Sequence, residues 1–365
     1  MADLESSILL AFLASPDEPV SGDRLAKELG VSRVAVWSRL EKLRAQGFVF
    51  AASTRKGYAL KSVPRGLNPA LFEAHLRRLK VAPAVALLET VDSTNSEAER
   101  RLAAGQEAPF AVLARTQSAG RGRLGRKWHS APSGSLCLSL AFRPFIPPER
   151  LKPFTLWMGL ALCAHVEQAH GLRLGLKWPN DLQSPDGRKV AGMLTEARLD
   201  ADSVRELVFG LGLNLAGQPK DFPAELRATA GTLEAALGRP LDVHRAAAEA
   251  VAALFQAWEQ FEEGTWSRSF RRLWARHDVL TGKSVRVGLR GDPIAGVVDG
   301  VDDEGSLILR TGGGRPAVVA TGAVPLRKPC PRAPTPPTPT FPACPFSASM
   351  SATRTPTGAS STDAR

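Results

Sequence analysis

The segment Gln117-Ser-Ala-Gly-Arg-Gly-Arg-Leu-Gly-Arg-Lys-Trp128 sets four cations, Arg121, Arg123, Arg126 and Lys127, among three glycines, directly after a strand-like run. Glycine lets backbone N–H groups come close to an anion, and a guanidinium binds phosphate or carboxylate oxygens in pairs. The composition suits an anion-binding loop, and equally a solvated basic loop or an Arg/Gly patch on RNA. Only Leu124 and Trp128 offer much apolar surface, whereas ordering nine residues costs roughly 1–2 kcal/mol each in backbone entropy. The loop is therefore expected to be disordered when empty and to fold over an anionic ligand.

Three further stretches carry polar groups at the ends of strand patterns. Asp92-Ser-Thr-Asn95 opens a helix, so its side chains can cap that helix or face a ligand. The second runs from Lys177-Trp-Pro-Asn-Asp181, readable as a turn at a strand end, through Gly187-Arg-Lys-Val-Ala-Gly-Met193, with Lys189 readable as a surface lysine. Gly210-Leu-Gly-Leu-Asn214 closes the set. No convincing Ser/His/Asp or Cys/His arrangement accompanies them.

The elements that hold these motifs read as an α+β chain. Residues 1–63 give three short helices and a hairpin: apolar residues recur at helical spacing from Leu4, a second helix stops at Gly30, and Ser32 caps a third that ends before Gly47. This is the pattern of a winged helix-turn-helix. On its third helix Arg33, Ser38, Arg39 and Lys42 are the candidate DNA contacts, with Arg55 and Lys56 in the wing. Residues 64–69 read as a linker. Residues 70–277 mix strands (85–89, 110–116, 134–142, 173–178, 190–199, 204–215) with helices (96–104, 151–170, 241–262), which predicts a mixed sheet rather than a doubly wound one. Residues 279–328 show short strands broken by Gly-Asp and Asp-Glu-Gly, a small all-β pattern. Residues 329–365, rich in Pro, Thr, Ser and Ala, are expected to be a disordered tail.

The bulk properties agree. At 365 residues two or three domains are expected, and the net charge of +11 suggests a polyanionic partner or substrate. Four cysteines without C-x-x-C spacing argue against a structural metal site or disulfides and for a reducing cytoplasm. No stretch has the length of a membrane span or the form of a signal peptide.

Taken in order, the four motifs resemble those of the biotin–protein ligases, whose longer members are also biotin-operon repressors. The resemblance runs from residue 1 to about 328. It implies a class II synthetase-like biotin/lipoate ligase domain between the winged helix and an SH3-like C-terminal β-barrel. It implies a biotin site at Ser93, Thr94, Asn95, Gln117, Arg121, Gly122, Arg123 and Lys189. The ATP or adenylate site would use Arg121, Arg123, Arg126, Trp128, Asn180, Asp181, Asn214 and Arg327, with Asp181 a candidate Mg²⁺ ligand. The implied partners are biotin, ATP, a biotin carboxyl carrier protein and operator DNA, with a homodimer forming on adenylate binding. A lipoate ligase of the same fold group, and a ligand-sensing regulator without ligase activity, are the competing expectations.

Overall fold

The computed structural model describes residues 4–16, 18–53, 56–129, 134–200, 202–288, 293–312 and 316–320. Arg55, Arg327 and the tail expected at 329–365 lie outside them.

The N-terminal head contains α1 (Leu4–Ala14), α2 (Gly22–Leu29), α3 (Arg33–Ala45), β1 (Val49–Ser53) and β2 (Gly57–Ser62). Ser21 and Ser32 hold extended backbone and accept from the N–H groups of Asp23 and Ala35, satisfying donors that a helix start leaves orphaned. Gly30 ends α2 at φ +66°, a conformation glycine enters without a Cβ penalty. The hairpin is antiparallel, with Ser53 opposite Gly57. A winged helix-turn-helix results.

The expected linker at 64–69 turns directly into a helix, α4 (Pro69–Arg78). Asn68 caps it by accepting from Leu71 N at 3.1 Å, and Pro69 brings a preset φ to its first turn. The helix was not anticipated because its apolar residues do not form one stripe. Ala70, Leu71 and Ala74 pack into the core of the head, whereas Phe72 and Leu76 pack into the central core. Both faces are therefore buried.

The central domain runs β3 (Ala84–Val91), α5 (Thr94–Ala103), β4 (Phe110–Gln117), β5 (Ser135–Phe142), α6 (Phe154–His170), β6 (Gly175–Lys177), β7 (Asp181–Gln183), β8 (Lys189–Asp200) and β9 (Ser203–Asn214), followed by α7 (Leu233–Leu237), α8 (Val243–Glu262) and α9 (Ser267–His277). Seven strands form one mixed sheet in the order β3-β4-β5-β9-β8-β7-β6, in which only β3 and β4 are parallel. One face is covered by α6 and α8, where Phe142 stacks on Trp258 at 4.0 Å between ring centroids. The other face carries α5 over Val112, Ala141 and Val208.

Several elements differ from the sequence expectation. The turn after Lys177 continues into β7, because Asp181–Gln183 pair back onto both β6 and β8. The helix expected from 151 starts at Phe154, after a 3₁₀ turn at Pro148–Leu151 that Pro153 separates from it. The strand expected at 173–178 keeps only three residues.

Beyond α9, β10 (Ser284–Val287), β11 (Ile294–Val301), β12 (Leu307–Arg310) and β13 (Pro316–Val319) form a four-stranded antiparallel sheet in chain order. Its Val298, Leu307 and Leu309 join the central core. The buried Trp178 donates from Nε1 to Gly305 O at 3.0 Å, tying the 177–181 turn to this sheet. Among the described residues no helix is long and apolar enough to cross a membrane.

Because α4 is buried on both faces, Leu71→Ala is expected to cost about 2–5 kcal/mol, the range for emptying a packed leucine site. Hydrogen exchange should report the loss in both the head and the adjacent part of α8. Protection lost in the head alone would show that α4 is not a shared wall.

Candidate active site

The site is built on a floor of glycine. Gly210 lies opposite Ser139 on β5 and Leu194 on β8, and Gly212 lies opposite Cys137 and Gly192, so these positions share one face of the sheet. A Cβ on Gly210 would overlap the Asn95 amide, and one on Gly212 would overlap the Trp128 ring. Side chains from two other elements occupy the space that β9 leaves empty.

The first of these elements is the start of α5. Ser93 sits at its N-cap but makes no side-chain cap hydrogen bond, so its hydroxyl is not spent on the helix. Ser93, Thr94 and Asn95 are each 4% exposed. Thr94 donates from N and from Oγ1 to Gln117 Oε1, at 2.7 and 3.1 Å, which leaves the Gln117 amino group facing outward as a donor. Ser139 Oγ lies 2.5 Å from Asn95 Oδ1 and 2.8 Å from Thr94 Oγ1. Asp92, held by two hydrogen bonds from Arg100, accepts from Ser93 N and fixes the turn. Those bonds, led by Arg100, hold its carboxyl well below the usual carboxylate range.

The second is the cationic loop, which the structure shows folded. Trp128 N donates to Gly120 O at 2.9 Å and Gly122 N donates to Arg126 O at 2.7 Å, closing a small hairpin around a 3₁₀ turn at Arg123–Gly125. Leu124 takes φ +59° at its tip and is 56% exposed. The ring of Trp128 seats on Gly212, with Gly192 also close by, and Lys189 Nζ stands 5.8 Å from its centroid.

Together these elements enclose a cavity of about 650 Å³, a size that suits a small molecule or nucleotide. Among the described residues lining it are four arginines (Arg121, Arg123, Arg126, Arg286) and three lysines (Lys127, Lys177, Lys189) against one carboxylate, Asp181. Lys189 Nζ pairs with Asp181 Oδ1 at 2.6 Å. Burial lowers the pKa of Lys177, and although Asp181 opposes the shift, Lys189, Arg126 and Lys283 add to it. Burial likewise lowers that of Arg123, against the pull of Asp181. Cations so crowded are stabilised by a polyanion.

Asn180 spends its amino group on Met193 O at 2.8 Å, and Asn214 spends its own on Gly231 O at 3.1 Å. Both line the cavity while pinning its walls. Thus every described residue expected to contact biotin or nucleotide falls on this one cavity. Sequence reasoning did not single out Ser139, Lys177, Glu196 or Arg286. Glu196 and Ser139 matter through partners 44 to 101 residues away, a separation no local pattern reveals. Lys177 lies inside the motif 177–181, to which the resemblance assigns roles only at Asn180 and Asp181.

On the head, Ser38, Lys42 and Lys56 are exposed, and Arg33 is exposed but paired with Asp23 at 3.0 Å. Arg39 turns inward to Glu5 of α1 at 3.5 Å. The outer face of α3 instead presents Val34 and Trp37, which are 73% and 53% exposed.

Fold and cavity together define a class: a winged-helix head on a mixed-sheet domain with a cationic, glycine-floored small-molecule site. Residues 87–214 match the biotin/lipoate A/B protein ligase family, residues 5–59 an HTH domain, and residues 280–321 the biotin protein ligase C terminal domain. The bifunctional ligase/repressor BirA of Bacillus subtilis is 32% identical over 316 residues, 85% of this chain and 95% of that protein. Its namesake in Escherichia coli is 30% identical over 305 residues, 84% and 92% of the two chains. The biotin protein ligase from Aquifex aeolicus, solved in complex with biotin and ATP, superposes with a TM-score of 0.56 at 28% identity, covering 67% of this chain and 99% of that one. The chain belongs to the biotin protein ligase family, among the bifunctional ligase/repressors that carry an HTH head.

Gly212→Ala is expected to dislodge the Trp128 ring without unfolding the sheet. Limited trypsin digestion should then cut at Arg121, Arg123 and Arg126 several-fold faster, with circular dichroism unchanged. An unaltered cutting rate would mean that this contact does not hold the cationic loop.

Proposed function

We propose that the cavity activates biotin with ATP to biotinyl-5′-adenylate and that the chain then transfers biotin to a lysine of a carboxyl carrier protein. The observation that carries this reading is the polarity of the cavity. Ser93, Thr94, Asn95 and Gln117 gather neutral hydrogen-bonding groups at the start of α5, whereas Lys189, Lys177 and Arg123 gather around Asp181. A cyclic urea has one acceptor and two donors and suits the neutral set. A triphosphate and a reacting carboxylate suit the cationic one.

In the first step the biotin carboxylate attacks the α-phosphorus, the α–β phosphoanhydride bond breaks, and pyrophosphate leaves. Lys189 and Arg123 would stabilise the charge that gathers on the phosphoryl oxygens, in a place where partial burial strengthens each interaction. Arg126 and Lys127 lie on the lid, where they can follow the leaving phosphates. In the second step the carrier lysine attacks the carbonyl of the mixed anhydride and AMP departs. Trp128 and the hairpin that carries it would shield the anhydride from water between the steps. Asn180, Asp181 and Asn214 line the nucleotide side.

Mg²⁺, when bound, would neutralise phosphate charge. Asp181 is the only carboxylate among the described lining residues and is already paired with Lys189. That donor set fits an ion held chiefly by triphosphate oxygens and water, with Asp181 as a single protein ligand.

The head would act as a biotin-responsive repressor on operator DNA. Ser38 and Lys42 on the outer face of α3 would enter the major groove, Arg33 would join them on release from Asp23, and Lys56 in the wing would meet phosphate. Arg39 would have to exchange Glu5 for DNA. A homodimer formed on adenylate binding would present two heads to a two-fold site.

Biotin-dependent ATP–pyrophosphate exchange tests the ligase reading. Exchange with lipoate and none with biotin overturns it. Lys189→Ala and Arg123→Ala should each slow exchange about 10²–10³-fold, as for loss of one preorganised charge contact; unchanged rates would remove them from the reaction. The repressor reading is tested by a gel shift on the gene's own upstream region. Biotin plus ATP should strengthen the shift, and Lys42→Ala should weaken it; a shift indifferent to ligand means that the head does not report biotin.

A further inference from the structure

Glu196 on β8 lies where the lid, the start of α5 and the glycine floor meet. A single oxygen, Oε2, accepts from Asn95 Nδ2 at 2.6 Å and from Arg121 Nη2 at 3.0 Å. The opposite atom of the same amide, Asn95 Oδ1, has Ser139 Oγ at 2.5 Å. A carboxylate can only accept a hydrogen bond, so the Asn95 amide has one orientation consistent with Glu196: nitrogen toward the acid, oxygen toward Ser139. Asn95 is 4% exposed and its side chain fills the space above Gly210, leaving it little room to choose otherwise. Glu99 approaches Arg121 only to 3.9 Å. Burial, and then the charge of Glu196, push the carboxyl of Glu99 up. Of the two carboxylates at Arg121, Glu196 is the nearer.

We infer that Glu196 is a positioning residue for the ligase reaction, whose carboxylate fixes the polarity of Asn95 toward the cyclic-urea head of the ligand and anchors Arg121 of the lid to the sheet. This rests on the ligase reading above. With its nitrogen committed to Glu196, Asn95 offers the spare lone pair of Oδ1 to a ligand N–H. Gln117, with its oxygen committed to Thr94, offers an amino group to a ligand C=O. The two amides thus present opposite polarity, the pattern that a urea needs and a dithiolane lacks. Arg121 shares the anchor, so a lid that opens removes one of the donors that steady Glu196 against Asn95. Recognition of the head and closure of the lid are linked through one oxygen atom.

The test uses the full-length protein. Glu196→Gln is nearly isosteric but can present either an oxygen or an amino group, which frees Asn95 to invert. The KM for biotin should rise about 10- to 100-fold, as expected for losing a hydrogen bond to a charged group, with smaller effects on the KM for ATP and on kcat from the weakened Arg121 anchor. The decisive variant adds Asn95→Asp to Glu196→Gln. Residue 95 is then an obligate acceptor and residue 196 can donate to it, so the double variant should recover most of the lost affinity for biotin. Asn95→Asp alone, which sets two carboxylates face to face, should bind worse than either. Isothermal titration of biotin with each variant, alongside its thermal unfolding midpoint, separates recognition from folding. An unchanged biotin KM in Glu196→Gln overturns the inference, as does a loss shared equally by biotin, ATP and kcat, or a double variant no better than the worse single one. If the unaltered protein shows no biotin-dependent exchange, the ligase reading has failed; if it does and Glu196→Gln matches it, only this inference has.

Discussion

Asn95 and Trp128 reach the central sheet only because β9 carries no side chain at positions 210 and 212. Much else follows from that close approach. With Asn95 seated above Gly210, the first turn of α5 faces into the cavity instead of standing off it. Ser139, directly opposite Gly210, can then reach both Asn95 and Thr94. With the Trp128 ring on Gly212, a loop that has almost no other apolar anchor acquires a fixed end. Glycine in a strand interior weakens the strand by itself. Here the loss is offset by neighbours on both sides, since β9 pairs along its length with β5 and β8. The strands that are poorest in side chains at the site are the ones best secured by their partners.

The same arrangement separates two kinds of recognition. Around Asn95 the groups offered to a ligand are neutral, a spare lone pair on Asn95 Oδ1 and the Gln117 amino group, with the Glu196–Arg121 pair beside them. Around Asp181 they are charged and under-compensated, with burial working against Lys177 and Arg123. A neutral site of this kind selects, because an unpaired buried polar group is costly to the wrong ligand. A crowded cationic site drives chemistry on phosphates without any nucleophile of its own. No covalent intermediate is called for. What the reaction needs is a lid to exclude water, and the lid is attached at its two ends to the two halves, through Arg121 to Glu196 and through Trp128 to the Lys189 side.

The order of motifs along the chain was enough to read the family, and the described residues it singled out line one cavity. Periodicity gave the head almost residue by residue: Gly30 and Ser32 punctuate its helices by local backbone chemistry that needs no tertiary context. What was illegible depended on contacts made from afar. The helix α4 mixes residues for two cores, so its apolar positions show no single stripe. The strand β7 has three residues and exists only because β6 and β8 flank it. In the lid Leu124 is exposed, and the folded form is held by backbone hydrogen bonds, the Arg121–Glu196 pair and the seat of Trp128, contacts that a count of apolar side chains leaves out. Glu196 could not have been chosen from sequence. Its function lies in Asn95, 101 residues earlier.

A protein that reports ligand occupancy to a DNA-binding head needs more than a tether between the two. A flexible linker would let the head move independently of the cavity, and the expected stretch at 64–69 would have been such a linker. In the structure residues 64–68 stay irregular but lead at once into α4, whose two faces belong to different cores. Around that helix the contacts are specific: Asn68 takes Gln46 from the end of α3, Arg77 reaches Ser7 on α1, and the ring of His244 on α8 meets Gly66 O. The recognition helix is thus connected through its last turn to the cap of α4, and α4 through its other face to the ligase core. Packed interfaces of this kind shift between discrete arrangements rather than bending continuously. Any rearrangement of the core that alters the seat of Phe72 and Leu76 must be accommodated by α4, and the head has no independent wall on that side against which to ignore it.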